Sequence, residues 1–435
     1  MLIYTIVYFI QLYFRINVMK KNTELDIIII GGGVVGLCCA YRLQKSGLKT
    51  RIIESKGIAE GCSKGNAGHF ATEQIFPLSS PSLLPQLPKM LFDPQSPVSI
   101  RWRDILQTIP WMFHFLFNAR TEQFNKGTSA LIELNKYSLN AWQELLTEID
   151  QLHMLKDEGS MLVFETEKAF KSYRPVLDKL LLNKVDAIVI DGNEARRKEP
   201  NLSSNVKHAI LFPNTGHTIE PLDLCLLISE SYKKIGGEII IDKVEDISAS
   251  EFGCSVKTLR LGEIKSNKVV LAAGVWSAKF AKQLTNINPP LLAERGYHLM
   301  IPKPQHSVSM AISSAERKFI MTPMNGGLRL AGTIEYAHVD AAENPHRSNM
   351  LQQHANALIP NLSKQKGTAW MGSRPSLPDS LPVIDSVCDG RVLMAFGHQH
   401  LGLTQAAFTA DLILSLEQMQ PTKIDLKPYS ISRFI

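Results

Sequence analysis

The chain has 435 residues, 45% of them hydrophobic and 20% charged, with 47 Lys+Arg against 41 Asp+Glu. That length and balance describe a globular protein of about two domains and exclude a disordered or collagen-like chain. The net charge of +6 is spread without a basic run long enough for a nucleic-acid arm, and it suits weak attraction to an anionic membrane surface. Six cysteines with no CxxC pair supply neither a disulfide framework nor a metal site, and point to a reducing, cytoplasmic compartment.

Residues 1–14 are almost wholly apolar, too short a run to span a bilayer and without the basic start and cleavage site of a secretory signal. Met19-Lys20-Lys21 reads as a second translation start. Residues 1–23 are therefore either a mis-assigned start or an N-terminal extension that anchors at an interface.

Asp26–Ile30 is a β-branched run of the kind buried on both faces of a parallel sheet. Gly31-Gly32-Gly33-Val34-Val35-Gly36 follows and matches G-x-G-x-x-G. A helical pattern then runs Leu37–Gln44, and a second strand, Thr50–Ile53, ends at Glu54. Gly31 permits the tight turn, Gly33 a close approach to pyrophosphate, and Gly36 close packing of helix on strand. The helix N-terminus holds phosphates, and Glu54 accepts from the ribose hydroxyls. The unit predicts dinucleotide binding. The small-residue loop Gly61–His69 offers backbone N–H groups to an extended cofactor, although a surface turn has the same composition.

Residues 77–100 read as an irregular loop. Arg101–Arg120 is rich in Trp, Phe, Ile and Leu between terminal arginines. It reads either as a dip into a membrane interface or as a buried hairpin. Residues 129–150 carry a helical apolar stripe, and Ile239–Val244, Val256–Leu259 and Lys268–Leu271 read as strands, the last leading into Ala272-Ala273-Gly274. Met161–Phe164, Ala187–Ile190, Met310–Ile312, Phe319–Thr322 and Leu328–Gly332 read as strands of an antiparallel sheet. Near the C-terminus, the strand Val392–Phe396 meets Gly397-His398-Gln399-His400-Leu401-Gly402-Leu403-Thr404, and a helix follows from Gln405 to Leu416.

The stretches IIIIGGGVVGLCCAYRLQKSG, CSKGNAGHF, NTGHTIEP, VVLAAGVWS, ERGYHLMIP, GSRPSLPDSLPVID and FGHQHLGLT, in this order, resemble the D-amino-acid oxidase superfamily of FAD-dependent oxidoreductases. They are most similar to its bacterial D-amino-acid dehydrogenase branch (small-subunit type), with hydroxyproline and glycine or sarcosine oxidases as relatives. The resemblance implies an α/β fold: a discontinuous Rossmann-like FAD-binding domain (24–76, 196–290 and 371–435) and an α+β substrate domain with an antiparallel sheet (77–195 and 291–370). It implies that Gly31, Gly33, Val34, Val35, Gly36, Glu54 and Ser55 hold the ADP half of FAD. Ser63, Asn66, Ala67, Gly68 and His69 would follow the pyrophosphate and ribityl chain. Val244, Ala273 and Gly274 would line the ADP pocket, and Gly397, His398, Leu401, Gly402, Leu403 and Thr404 the isoalloxazine.

The resemblance also implies that Arg374 grips the substrate carboxylate, since a guanidinium fork suits it; a structural salt bridge is the other reading. Tyr297 would share that carboxylate or simply pack, and His69 and His398 would relay protons or donate to the cofactor. Two departures stand out: Asp385 replaces the usual Gly, and no Cys stands beside Ser373-Arg374, where covalently flavinylated sarcosine oxidases carry one. Non-covalent FAD and no metal are expected.

The implied reaction is oxidative deamination of D-amino acids to 2-oxo acids and ammonia. Hydride passes from Cα to flavin N5, and electrons go on to a quinone or electron-transfer partner, with possible peripheral contact at the cytoplasmic face of the inner membrane. Oxidation of hydroxyproline, proline, glycine or sarcosine is the alternative within the same chemistry. A structural flavoprotein subunit of a larger dehydrogenase is the alternative from another class.

Overall fold

In a computed structural model, residues 25–86, 96–304, 306–360, 362 and 366–435 are described. The N-terminal extension discussed above, and residues 87–95 of the expected loop, lie outside them.

The first strand, Ile27–Ile30, is flanked in parallel by Thr50–Glu54 and Lys268–Leu271. Glu238–Ile241 extends the sheet beyond Thr50–Glu54, and Val392–Phe396 extends it beyond Lys268–Leu271, both parallel. Val383–Val387 closes the far edge antiparallel. All four isoleucines of the first strand are buried because both faces are covered. Ile27 and Ile29 pack with the helices Val34–Lys45, Pro221–Lys234 and Gly402–Glu417. Ile28 and Ile30 face the other way, toward a core that includes Ile247 and Val256 of a three-stranded meander, Val244–Ser250, Gly253–Thr258 and Gly262–Ser266. Period-two burial on both sides of one strand is the reason the run has no polar residue.

The second layer is a nine-stranded sheet. Its order runs Thr368–Ser376, Leu292–Ile301, Gly327–Tyr336, Phe319–Met324, Ala311–Ser314, Ser160–Phe164, His208–Phe212, Ile188–Asp191, with Val98–Ile100 beside Gly327–Tyr336. It is antiparallel except where Ala311–Ser314 meets Ser160–Phe164 and where Val98–Ile100 joins. The expected α/β class with an antiparallel second sheet is therefore what the chain folds into, although the sheet is mixed at those two seams. A small sheet of His69–Phe70, Gly216–Thr218 and Leu155–Lys156 bridges the layers.

Several sequence expectations change. Residues 101–120 do not form a hairpin but a short 3-10 turn and one helix, Ile105–Asn118, with Pro110 inside it. Its Trp111 and Phe115 are buried against Tyr336, and the opposite side is solvent-facing. The stripe at 129–150 belongs to two helices, Thr121–Lys136 and Ser138–Glu148, that meet at Tyr137. The strand expected over Ile239–Val244 ends at Ile241. Asp242 accepts backbone N–H bonds from Arg260 and Leu261, both at 3.1 Å, which turns the chain so that Val244 starts the meander. His208–Phe212 falls inside a segment expected in the FAD domain, yet it pairs with Ser160–Phe164 in the large sheet. Asp385, the departure from the family pattern, accepts from Ser430 Oγ at 2.7 Å and the Ile431 amide at 2.8 Å, pinning the C-terminal tail.

Candidate active site

The glycine turn is tight because two strands and a helix converge on it. Gly31 has φ +109°, and a Cβ there would lie 2.4 Å from the Ala272 carbonyl oxygen. A Cβ on Gly36 would lie 2.0 Å from the Gly31 carbonyl oxygen. Any side chain at 36 would push the helix off the strand and open the turn. The Gly32 amide donates to Glu54 Oε2 at 2.7 Å, and the Val34 amide donates to Ser63 Oγ at 3.0 Å. Glu54 Oε1 accepts from Ser55 Oγ and the Lys56 amide, both at 3.0 Å. The helix Val34–Lys45 has no side-chain cap, so its first-turn amides at Val35 and Gly36 remain to meet an anion.

The loop 61–68 is shaped by its own polar groups. Asn66 Oδ1 accepts from the Gly68 amide at 2.8 Å, and Ala67 lies between them. A buried arginine from the large sheet holds this loop down. Arg329 Nη1 donates to the Asn66 carbonyl at 2.8 Å, and Nη2 donates to Glu220 Oε1 at 2.8 Å. His298 adds a second tie, its Nδ1 bonding the Gly65 carbonyl at 2.9 Å while its ring stacks on Trp370 at 4.9 Å. Burial holds the His298 ring neutral, its pKa pushed down to about 4, with Arg329 acting in the same direction.

On the other side, Ala273 and Gly274 follow the strand Lys268–Leu271 directly, beside the glycine turn. Val244 stands at the start of the meander. Asp242, two residues earlier, donates its amide to the Glu54 carbonyl at 2.8 Å, which brings this segment to the Glu54 end of the second strand. After Val392–Phe396, Gly397 and His398 lead into the 3-10 turn Gln399–Leu401 and then the helix Gly402–Glu417. Three contacts fix its first turn. Trp142 Nε1 donates to the Leu403 carbonyl at 2.7 Å, the Ala71 amide donates to Thr404 Oγ1 at 2.9 Å, and Leu401 is buried in the main core. The helix start carries no side-chain cap.

The large sheet presents two different faces along Leu292–Ile301. Glu294 stands opposite Arg374 in the register with Thr368–Ser376. Arg374 Nη1 donates to Glu294 Oε1 at 3.1 Å, with the two side chains 22% and 0% exposed. A Cβ at Gly296 would fall 2.6 Å from the Arg374 guanidinium carbon, so glycine leaves room for the fork. Glu294, Gly296 and His298 share this face with Arg374, because alternate residues of a strand point the same way.

Arg295 and Tyr297 point to the opposite face. Tyr297 Oη donates to Glu335 Oε2 at 2.8 Å and accepts from the Asn344 amide at 3.1 Å, while Arg295 pairs with Glu335 at 2.9 Å. Tyr297 and Arg374 are thus not brought together, and the expected shared grip on a carboxylate is corrected by strand register.

The two histidines expected to relay protons or donate to the cofactor each hydrogen-bond within the protein. His69 Nδ1 donates to the Gly216 carbonyl at 2.9 Å and Nε2 faces Glu73 Oε1 at 3.0 Å. Burial depresses its pKa, but Glu73 and the Gly216 carbonyl override this and raise it. His398 Nε2 bonds Thr409 Oγ1 at 3.0 Å, and burial pushes its pKa down to about 3. Each is thus hydrogen-bonded within the protein.

Sequence reasoning missed two residues of this region, Arg329 and Glu294; His400 belongs to the turn already singled out in the sequence. His400 is held neutral by burial, with the Glu294 carboxylate opposing and the Arg374 guanidinium adding to the effect. Arg329 has no local sequence signal, and Glu294 in ERGYHLMIP is one charged residue among several on a strand. Among the described residues no cluster of His, Cys, Asp and Glu is arranged to hold a metal ion, and no helix is long and apolar enough to cross a membrane.

Residues 26–416 match the model of the FAD dependent oxidoreductase (DAO) family. The chain belongs to this family. It is 30% identical over 422 residues to a D-amino-acid oxidase of Bradyrhizobium diazoefficiens, covering 94% of this chain and 99% of that protein. It is 24% identical to a D-amino acid dehydrogenase of Vibrio atlanticus, covering 94% and 100%. Among solved structures, glycine oxidase from Geobacillus kaustophilus aligns with a TM-score of 0.76 at 20% identity, covering 94% and 99%. L-proline dehydrogenase from P. horikoshii aligns with a TM-score of 0.70 at 19% identity, covering 95% and 98%. The chain is an FAD-dependent oxidoreductase acting on amino acids, with the α/β fold of its neighbours.

Proposed function

We propose that this oxidoreductase is a D-amino-acid dehydrogenase that binds FAD without a covalent bond and passes electrons to a quinone or another non-oxygen acceptor. The observation that carries the reading is Arg374, a part-buried guanidinium with only one nitrogen committed to Glu294. The residues fit FAD: backbone packing at Gly31 and Gly36 leaves no room for a Cβ and keeps the turn tight, and Glu54, Ser63 and the first-turn amides stand around it. When bound, FAD takes the electron pair and hydrogen lost from the substrate Cα. Gly31, Gly33, Val34, Val35, Gly36, Glu54 and Ser55 would hold its ADP half, with Val244, Ala273 and Gly274 beside them. Ser63, Asn66, Ala67 and Gly68 would follow the pyrophosphate.

The uncapped N-terminus at Gly402, Leu403 and Thr404 would place positive partial charge where reduction puts negative charge. Arg374 orients the amino acid by its carboxylate, which converts binding into alignment of the reacting bond. The relatives named D-amino-acid oxidase and D-amino acid dehydrogenase support this substrate class. The experiment is anaerobic flavin bleaching by D-alanine, D-methionine, D-proline, cis-4-hydroxy-D-proline, glycine and sarcosine. Bleaching confined to glycine and sarcosine would replace the D-amino-acid reading. Turnover with oxygen as fast as with a quinone or dye would replace dehydrogenase by oxidase.

We also propose that this enzyme touches the cytoplasmic face of a membrane through the helix Ile105–Asn118. Leu106 is 79% and Phe113 69% exposed, with Ile109, Leu116 and Phe117 on the same solvent-facing side. The helix holds no Asp, Glu, Lys or Arg, and Arg101, Arg103 and Arg120 flank it, which matches an anionic lipid surface. Sedimentation with vesicles containing phosphatidylglycerol, lost in L106S/F113S, tests this; full solubility of the wild type with such vesicles removes it.

A further inference from the structure

We propose that Glu294 determines specificity by receiving the substrate's ammonium group, so that Arg374 and Glu294 together read an amino acid as a zwitterion. This rests on the substrate reading above. Glu294 is fully buried, and only one of its oxygens is used, accepting from Arg374 at 3.1 Å. Its Oε2 is buried with no partner among the described residues. A buried carboxylate oxygen left unpaired is costly, and native structures keep such atoms where something completes them. Arg374 is equally incomplete: among the described residues only its Nη1 has a side-chain partner, Glu294, so the other nitrogens can take a carboxylate. The two side chains are cross-strand neighbours on one face, so a cation and an anion with spare capacity sit side by side. An α-amino acid offers the matching pair, carboxylate beside ammonium.

None of the titratable groups around Glu294 donates a hydrogen bond to Oε2. Tyr336, on the strand opposite, is its register partner; burial first and the Glu294 carboxylate second hold its hydroxyl protonated. His400 comes from the 3-10 turn and is neutral through burial, with Glu73 a more distant influence. Cys62 lies on the glycine-rich loop near Arg374 and is kept a thiol by burial. Arg374 is the one cation paired with Glu294 among the described residues. A ligand with a carboxylate but no ammonium would share the Arg374 guanidinium with the buried Glu294 carboxylate and leave Oε2 without a donor. Hydroxy acids and simple carboxylates are therefore discriminated against.

The test uses the FAD-loaded full chain and two isosteric ligands that cannot be oxidised, 2-aminoisobutyrate and pivalate, which differ in an ammonium against a methyl group. Binding is followed by perturbation of flavin absorbance. Wild type is expected to prefer 2-aminoisobutyrate by about 10- to 100-fold, the value of one charge-assisted hydrogen bond. E294Q keeps an acceptor for Arg374, and its preference is expected to fall to within about threefold of unity. R374L is expected to lose both ligands, which reports on the substrate reading separately. If wild type shows no preference, or E294Q retains it, the role of Glu294 is overturned; if wild type binds neither ligand, the substrate reading falls with it.

A second readout separates charge from mere structure. Because Glu294 stabilises the bound ammonium, its proton leaves less readily. In E294Q, KM for a bleaching D-amino acid is expected to rise while the acid limb of kcat moves to lower pH. An acid limb unmoved, or moved upward, contradicts the assignment.

Discussion

Arg329 offers the sharpest test of how the cofactor loop is held. Its guanidinium is 5% exposed and joins the Asn66 carbonyl to Glu220, each at 2.8 Å. Burial lowers its pKa and Glu220 works against that fall, so the ion persists because of its partner. Arg329→Met keeps the stem and removes the charge, stranding the Glu220 carboxylate and freeing the Asn66 carbonyl. Removing one partner of a buried pair costs about 3–5 kcal/mol. Unfolding measured in urea at fixed, saturating FAD should show a loss of that size, with weaker FAD retention because loop 61–68 is no longer tied to the sheet. Adding Glu220→Gln removes the stranded charge and should return about 1–3 kcal/mol, the coupling expected of directly bonded groups. If Arg329→Met stays within about 0.5 kcal/mol of wild type, or the double variant gains nothing over the single one, the clamp is not what holds the loop.

Gly36→Ala puts a Cβ 2.0 Å from the Gly31 carbonyl oxygen, so the purified variant should be colourless and take up no added FAD in a spectral titration. His398 is neutral when folded, its pKa pushed down to about 3, and it recovers an ordinary value near 6.5 when unfolded. Folding stability should therefore fall as pH drops through that window, by up to ~1.4 kcal/mol per unit, and His398→Asn should flatten the urea midpoint against pH. His69 has the opposite sign, because Glu73 and the Gly216 carbonyl raise its pKa over the burial effect. Its stabilisation is full below the unfolded value near 6.5 and is lost as pH rises through the higher folded value, so His69→Gln should cost more stability at pH 5.5 than at pH 9. Trp111→Ala removes an indole that donates to the carbonyl of Ser376, two residues beyond Arg374, at 3.1 Å and packs on Tyr336, the register partner of Glu294, and should cost about 3–5 kcal/mol by thermal or urea unfolding.

What was legible in the sequence was local. The strand, glycine turn, helix and second strand from Ile27 to Glu54 are specified by neighbours within one unit, so spacing alone placed them. The large sheet was legible as strands but not as register. Tyr297 and Arg374 looked like partners, yet alternation turned Tyr297 toward Glu335 and left Glu294 beside Arg374. Arg329 meets its loop across 263 residues and Glu294 meets Arg374 across 80, distances at which periodicity carries no information. The segment around Pro110 reads as an interfacial dip or a buried hairpin because its Trp, Phe, Ile and Leu lie between terminal arginines. It is a helix because Trp111 and Phe115, four residues apart, bury one side against Tyr336.

The central claim is that a guanidinium beside the flavin site positions a carboxylate for oxidation. It is tested most directly by mixing FAD-loaded wild type and Arg374→Leu with a D-amino acid without oxygen and following loss of flavin colour. Wild type should bleach rapidly, and the variant should bleach about 100-fold more slowly at equal FAD content, the loss expected from removing a charge-assisted bidentate contact. Equal bleaching in both proteins, or a wild type that binds no FAD, would contradict the account.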